Sequence, residues 1–441
     1  MQATIHPSAI KGTIQAPSSK SLMQRALAAA LLCKRTSYIR YHTLSSDDKA
    51  ALNIIQSLGA NIEYIDDYTI CITNQNIHPK QFTILNPPPL GELEGATIHC
   101  GESGLAARMF TPIAALFNQP IHITGEGSLL KRPMNFFDTI FKPLNVNLKS
   151  NHGYLPITIQ GPLQPANIEI DGSISSQFLT GLLFAYSAAN ASNISIKVNH
   201  LNSKPYIDLT LNMLQHFGLK CPINKSYKEF YFEEKIINYP LSTINYQVEG
   251  DWSSAAFLLV ASAIAGPITV VGLNHNSAQA DKAILQVLEI AGASIQIDND
   301  NITVSSTSLQ PFHFDATHCP DLFPPLVALA AYCKGTTTIK GAQRLIHKES
   351  NRAIALQQEF SKLGVQINII NDEMNITSSG IIKGGVIHAH NDHRIAMACG
   401  VAGLKATDSI IIEQAQAVEK SYSGFYKDVQ QLGVKVLLSP N

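Results

Sequence analysis

Lysines and arginines in this chain stand singly at the openings of apolar runs rather than in basic stretches. Lys20 lies between serines ahead of a long apolar segment, with Arg25 close behind, and Arg108, Lys131, Arg132, Lys204, Lys348, Arg352, Arg394 and Lys420 recur in comparable places. A lone Lys or Arg is most often a solvated charge. Beside an apolar helix it needs a partner, and phosphate or carboxylate is a natural one. Arg grips such anions bidentately, whereas Lys is a compact charge and a proton donor. Ser175-Ser176-Gln177 and Ser203-Lys204-Pro205-Tyr206 add hydroxyls and an amide. These serve helix capping or the binding of phosphate and polyol oxygens, and Tyr206 reads either as a core aromatic or as a ligand contact. Two carboxylates sit among the cations: Asp321 follows Pro320 at the head of an apolar run, and Glu349 lies between Lys348 and Ser350, shortly before Arg352. A cap for Asp321 and a helix-surface ion pair for Glu349 form one reading; proton transfer in a cation-rich cleft is the other.

Other chemistries find less support. In His388-x-His390-x-x-His393, strand alternation would put His388 and His390 on one face. No fixed Cys or acidic ligand accompanies them, so no metal is expected. Neither a phosphate-binding Gly-x-x-x-x-Gly-Lys-Ser/Thr loop nor a dinucleotide Gly-x-Gly-x-x-Gly is present, and no cofactor is expected.

The elements that position these residues form a repeat. Leu58-Gly59-Ala60-Asn61-Ile62 has counterparts at Leu144-Asn145-Val146, Phe217-Gly218-Leu219, Ala291-Gly292-Ala293, Leu363-Gly364-Val365 and Leu432-Gly433-Val434. Each follows a helix-like run and precedes a strand-like one, with Gly or Asn at the helix stop. The spacing of roughly seventy to eighty-five residues exceeds most solenoid periods. A second series interleaves with the first: Ser18-Ser19-Lys20, Gly101-Glu102-Ser103-Gly104, Ser175-Ser176-Gln177, Asp251-Trp252-Ser253, Cys319-Pro320-Asp321 and Asn391-Asp392-His393-Arg394 each open an apolar run. Runs such as 255–265 and 322–333 predict helices buried nearly all round, capped at these openings. The result is an α/β chain of six helix–strand units, three plus three in two domains. Equivalent units bring several helix N-termini to one face, which attracts anions.

Composition narrows the function. A net charge of −1 across 441 residues argues against a general nucleic-acid binder. Seven scattered cysteines without a Cys-x-x-Cys pair suggest reduced thiols and a cytoplasmic setting. Residues 1–13 lack a signal pattern, and apolar runs stop short of the roughly twenty residues that span a bilayer. The prolines of 86–91 read as a surface loop. Residues 3–16 read as a first strand belonging to either half, and 233–247 as a passage into the second half.

Pro17-Ser18-Ser19-Lys20-Ser21 with Arg25, Ser175-Ser176-Gln177-Phe178, Ser203-Lys204-Pro205-Tyr206-Ile207-Asp208, Lys348-Glu349 with Arg352, and Asn391-Asp392-His393-Arg394 follow one another in order. Together they resemble the 5-enolpyruvylshikimate 3-phosphate synthase family, from Gly12 to the last repeat. The resemblance implies an inside-out α/β barrel of six βαβαββ-type repeats in two domains hinged around a cleft, 21–248 as one lobe and 1–20 with 249–441 as the other. It implies transfer of the enolpyruvyl group of phosphoenolpyruvate to the 5-hydroxyl of shikimate 3-phosphate, a step of the shikimate pathway to chorismate and the aromatic amino acids. Ser21, Arg25, Ser175, Ser176, Ser203, Tyr206, Asp321 and Lys348 are then expected on shikimate 3-phosphate. Lys20, Gly104, Arg132, Gln177, Arg352, Arg394 and Lys420 are expected on phosphoenolpyruvate. Arg108, Asp48 and His393 match family motifs as supporting residues. These two small molecules are the expected partners of a monomer, without nucleic acid, membrane or metal.

The chain departs from the family pattern in places. Leu105 replaces a hydroxyl and Glu102 an amide near the expected carboxylate site, while Arg344 and Asn351 stand where Asn and Asp are usual. The first pair bears on the response to glyphosate, the family's inhibitor. A buried Glu102 beside an anion would need protonation or a cation. Asp321 is expected as base for the 5-hydroxyl and later for the methyl proton. Glu349 is expected as acid toward the methylene carbon, with Lys20 sharing that role. Alternatives are enolpyruvyl transfer to UDP-N-acetylglucosamine, whose enzymes carry Lys-Asn where this chain has Lys20-Ser21, and a non-enzymatic clamp-like ring, which would need basic helices lining its hole.

Overall fold

The residues that close the six repeated phrases all take left-handed backbone: Gly59 (φ 99°), Asn145 (57°), Gly218 (64°), Gly292 (88°), Gly364 (90°) and Gly433 (106°). Here the missing side chain, or the short polar one of Asn, lets the chain leave its helix and turn back. A strand follows each: Asn61–Asp66, Asn147–Asn151, Ile223–Lys225, Ser294–Asp298, Gln366–Ile370 and Val436–Ser439. The computed structural model describes residues 1–74, 95–173, 175–234, 242–306, 308–346 and 348–440. The proline loop at 86–91 lies outside them, as do 235–241 of the passage at 233–247.

Among the described residues there are six four-stranded sheets, and each of those six strands is an edge. One rule builds every sheet. In the sheet of Ala96–His99, the first strand runs parallel to the second, Ile121–Thr124. The second pairs antiparallel with the fourth, Tyr154–Gln160, and the fourth with the third, Asn147–Asn151. The parallel step needs a crossover, and the buried helix Gly104–Ala114 supplies it.

The chain divides into two compact units, Lys20–Val248 and Met1–Ser19 with Glu249–Asn441. Lys20 thus falls one residue across the expected boundary. Residues 3–16 are not one strand but two, Gln2–Ile5 and Gly12–Gln15, in different sheets. Pro7, which cannot donate to a ladder, lies between them, and Gly12 (φ 117°) begins the second. Gln2–Ile5 pairs antiparallel with Ile410–Glu413 and Val436–Ser439, completing the last sheet of its unit. Gly12–Gln15 runs parallel to Ile268–Val271 and opens the first sheet of the same unit. Ile244–Gln247 runs parallel to Ser37–Arg40 and opens the first sheet of the Lys20–Val248 unit.

Each unit is centred on three apolar helices. Lys20–Leu32, Gly104–Ala114 and Ser176–Ala188 pack on one another in one unit, and Trp252–Ala265, Phe323–Ala330 and His393–Ala402 in the other. Their residues are buried nearly all round, as at Phe257, Leu258, Leu259 and Val260. The second helix of a unit is amphipathic instead. In Ser46–Ser57 the residues Ala51, Leu52, Ile54 and Ile55 turn inward. The second of the six repeats breaks the pattern, with only Phe136–Ile140 and the 3-10 turn Lys142–Leu144 in that place. Pro143, lacking an N–H, prevents a longer helix. Among the described residues no helix is long and apolar enough to cross a membrane.

At Gly364 an added Cβ would meet only side-chain carbons of Lys383, at 3.7 Å or more, so the φ of 90° is the obstacle. Gly364→Ala is expected to destabilise its unit by about 1–2 kcal/mol, read as a lower urea midpoint, and Gly364→Asn by less.

Candidate active site

In the Lys20–Val248 unit the first turns of the three central helices touch through side chains. Ser103, the N-cap of Gly104–Ala114, donates from Oγ to Gln24 Oε1 at 3.3 Å, and Arg108 Nη1 donates to Gln177 Oε1 at 2.9 Å. Arg108 also lies over the Phe178 ring, 5.3 Å from its centroid. A Cβ at position 104 would stand 2.4 Å from Arg132 Nη1, so Gly104 lets that guanidinium lie against the helix start. A cation pressed on the positive end of a helix calls for an anion. Lys20 Nζ rests 2.9 Å from Asp47 Oδ2. Arg25, only 1% exposed, donates to Thr210 Oγ1 (3.0 Å) and to the carbonyls of Ser21 (2.8 Å) and Tyr206 (3.3 Å). Burial pushes its guanidinium down to about 10, which leaves it charged at neutral pH. Ser175 caps Ser176–Ala188 by accepting from Gln177 N, and Ser176 is buried behind it. Ser203 (φ 57°) is buried where the helix Lys204–His216 begins, with Tyr206 in its first turn.

In the other unit the cations converge on Asp321. Lys348 Nζ lies 3.1 Å and Arg352 Nη1 2.9 Å from its Oδ1, and Arg394 Nη2 3.4 Å from its Oδ2. Arg394 Nη1 also donates to the Ser253 carbonyl at 3.5 Å, so the three helix openings meet here as well. Arg352 is fully buried. Beyond Asp321 it donates from Nη2 to Glu349 Oε2 at 2.6 Å, and from Nε and Nη2 to the two oxygens of buried Asp392 at 2.9 and 3.1 Å. Burial alone would push Asp321 up, but Arg394, Lys348 and Arg352 outweigh it and hold the carboxyl well below its ordinary range. Burial pulls Lys348 down against the opposing pull of Asp321. Burial also disfavours the charge on Arg394, yet Asp321 and Asp281 hold its guanidinium above the ordinary value. Lys420 Nζ donates to the Asn391 carbonyl at 2.6 Å.

Several expectations change. Asp321 caps no helix: it lies inside the 3-10 turn Pro320–Leu322, whose N-cap is Cys319, and its carboxylate turns to the cations. Glu349 pairs with Arg352 at 2.6 Å, but from the segment before the helix and with a fully buried partner, not as the expected helix-surface pair. The strand Gly385–His388 ends at His388 and His390 takes φ 54°, so a turn and not strand alternation brings the two rings together, edge to face at 4.8 Å, with His390 N donating to His388 Nδ1 at 3.0 Å. His390 Nε2 meets Glu359 Oε1 at 2.8 Å, and buried His393 lies 4.0 Å from Asp392 Oδ1. Among the described residues no three His, Cys, Asp or Glu side chains form a metal-ligand group. Glu102 is half-buried and accepts from Ser128 N at 2.9 Å. Asn351 caps Arg352–Lys362 by accepting from Ile354 N, and Arg344 sits in the 3-10 turn Ala342–Leu345. Leu105 is buried in its helix.

Sequence reasoning missed three carboxylates. Asp47 and its neighbour Asp48 follow Ser45, the partner of Asp48 in a capping box, and that spacing was a usable signal. Asp392 shows only as an N-cap letter. Asp281, accepting a short hydrogen bond from Ser253 Oγ, gave no signal, since Ala280-Asp281-Lys282 reads as surface.

Two units of repeated α/β sheets, each gathering helix openings lined with cations, define a transferase of anionic metabolites. The chain belongs to the EPSP synthase (3-phosphoshikimate 1-carboxyvinyltransferase) family, whose model matches residues 5–429. The 3-phosphoshikimate 1-carboxyvinyltransferase of Clostridium novyi (strain NT) is 36% identical over 430 residues, 97% of each chain. That of Clostridium kluyveri is 35% identical over 433 residues, 98% of this chain and 97% of the relative. The solved EPSP synthase from Acinetobacter baumannii matches with a TM-score of 0.79 at 25% identity, covering 99% of this chain and 100% of that one.

Burial and then Asp321 push buried Asp281 up to about 7, against the pull of Arg394 and the Ser253 hydrogen bond. Unfolded, the group titrates near ~4. The stability it contributes is therefore full below about pH 4 and is lost as pH rises through about 7. Asp281→Asn removes the titration. Its stability relative to the parent chain is expected to grow by ~1.4 kcal/mol per pH unit between about 4 and 7, then level off, in urea unfolding followed against pH.

Proposed function

We propose that this enolpyruvyl transferase moves the enolpyruvyl group of phosphoenolpyruvate to the 5-hydroxyl of shikimate 3-phosphate with Asp321 as the proton-transfer group. The observation that carries the reading is Asp321 under Lys348, Arg352 and Arg394, at 2.9–3.4 Å. The 5-hydroxyl oxygen bonds to the central carbon of the enol, the methylene carbon gains a proton, and the hydroxyl proton passes to Asp321. Asp321 gives that proton to the departing phosphate oxygen as its bond to carbon breaks, and the carboxylate so restored accepts a proton from the new methyl group, re-forming the double bond. That proton returns through solvent to the acid that supplied the methylene carbon.

A carboxylate held so far below its usual range is a poor base while the cations rest on it. Phosphate and carboxylate groups of the substrates compete for those cations. As Arg394, Lys348 and Arg352 turn to them, the desolvation of Asp321 is less fully offset and its basicity rises. Substrate charge thus switches the base on. Glu349, 2.6 Å from Arg352, is the acid toward the methylene carbon once that pairing loosens. Lys20, held by Asp47, shares the role and supports the leaving phosphate.

Ser21, Ser175, Ser176, Ser203, Tyr206 and Lys348 take shikimate 3-phosphate in this reading, with Arg25 bracing Ser21 and Tyr206 through their carbonyls. Lys20, Gly104, Arg132, Gln177, Arg352, Arg394 and Lys420 take phosphoenolpyruvate. The Arg132 guanidinium against the start of Gly104–Ala114 supports this, because both favour a phosphate. A cytoplasmic setting is supported by the seven free cysteines.

Phosphate release from phosphoenolpyruvate is expected with shikimate 3-phosphate and not with UDP-N-acetylglucosamine. Asp321→Asn keeps the shape of the cluster. It is expected to bind both substrates while kcat falls by about two to four decades. Unchanged turnover removes Asp321 from the chemistry.

A further inference from the structure

The turn at 101–104 and the loop at 126–132 are joined at three successive points. Glu126 N donates to the Gly101 carbonyl at 2.9 Å. Ser128 N donates to Glu102 Oε2, also at 2.9 Å. The Arg132 guanidinium then lies against Gly104. The middle contact is the one in which a side chain accepts a hydrogen bond. Glu126 is the N-cap of the 3-10 turn Gly127–Lys131, yet its own side chain makes no cap hydrogen bond. Glu102 supplies that acceptor from the neighbouring turn. Gly127 (φ 56°) leaves it room, since a Cβ there would stand 2.3 Å from the Glu102 carboxyl carbon. Arg132 follows directly, its N donating to the Leu129 carbonyl at 3.1 Å.

We propose that Glu102 is a positioning residue for phosphoenolpyruvate: through Ser128 it fixes the Gly127–Lys131 turn, and so sets Arg132 against Gly104. Its charge is directed to a backbone N–H in the first turn of that short helix, where a carboxylate is favoured. This explains how a carboxylate stands next to an anion-binding helix start without opposing the anion. Loss of the acceptor frees the turn, and Arg132 loses its preset orientation. The inference rests on the reading of Arg132 as a phosphoenolpyruvate ligand.

Steady-state kinetics of the full-length chain test it, with Glu102→Ala, Glu102→Gln and Arg132→Ala. Glu102→Ala is expected to raise KM for phosphoenolpyruvate roughly tenfold, the effect of losing one hydrogen bond to a charged group. KM for shikimate 3-phosphate, kcat and the thermal midpoint should stay near those of the parent. Glu102→Gln, which keeps an acceptor oxygen, should recover most of the loss. Arg132→Ala should raise the same KM at least as much. An unchanged KM in Arg132→Ala overturns the reading of Arg132, and the positioning role with it. A raised KM in Arg132→Ala beside a parental KM in Glu102→Ala overturns the positioning role alone. So does a Glu102→Gln variant as impaired as Glu102→Ala, or a Glu102→Ala loss shared equally by both substrates with a lowered thermal midpoint.

Discussion

Arg352 is the constraint around which the Met1–Ser19/Glu249–Asn441 unit organises its chemistry. A guanidinium removed from water costs several kcal/mol unless its donors are satisfied. Three carboxylates satisfy this one. Asp392 takes two of its bonds from the cap of one central helix, Glu349 takes a third from the turn before Arg352, and Asp321 a fourth from the head of another central helix. The rigid plane of Arg fixes all three acceptors at once. Asp321 is therefore held on one side by the most deeply buried of its cations, while Lys348 and Arg394 are more exposed than Arg352 and turn more readily toward other anions. In the proposed mechanism the charge that binds substrate is the charge that holds Asp321 in check.

The Lys20–Val248 unit uses fewer carboxylates and more backbone. Its anion-seeking groups are helix starts, serine hydroxyls and two guanidinium groups, Arg108 and Arg132, set over Phe178 and Gly104. One unit presents acids among its cations and the other presents hydroxyls. That contrast matches a reaction in which proton transfer and substrate binding make different demands.

Much of this was legible in the sequence. The six helix stops showed because a left-handed backbone admits few residue types, so the requirement is written locally as Gly or Asn. The buried helices showed because burial on all sides removes polar residues. The strand exchange did not show: nothing in Gly12–Gln15 or Ile244–Gln247 names the distant strand that will pair with it. Of the two readings left open for Asp321, the cap failed because a carboxylate at a helix head resembles one until its partners, far away in the chain, are known. The histidine rings do meet, but through a turn, because alternation was extended two residues past the end of a strand. Asp281 stayed hidden because burial is a property of what packs above a residue. The departures at Glu102 and Asn351 were visible, but their effects were not, since the backbone N–H groups they accept from are set by the fold.

The paired ends of the chain bear on how the protein is born. Gln2–Ile5 is made long before its partners, Ile410–Glu413 and Val436–Ser439. The Lys20–Val248 unit has all its strands once Ile244–Gln247 has been synthesised. During translation the Lys20–Val248 unit can thus close while Gln2–Ile5 waits, unpaired, for strands more than four hundred residues on. Ribosomal order is inverted here: a strand synthesised before that unit finds its place only after it.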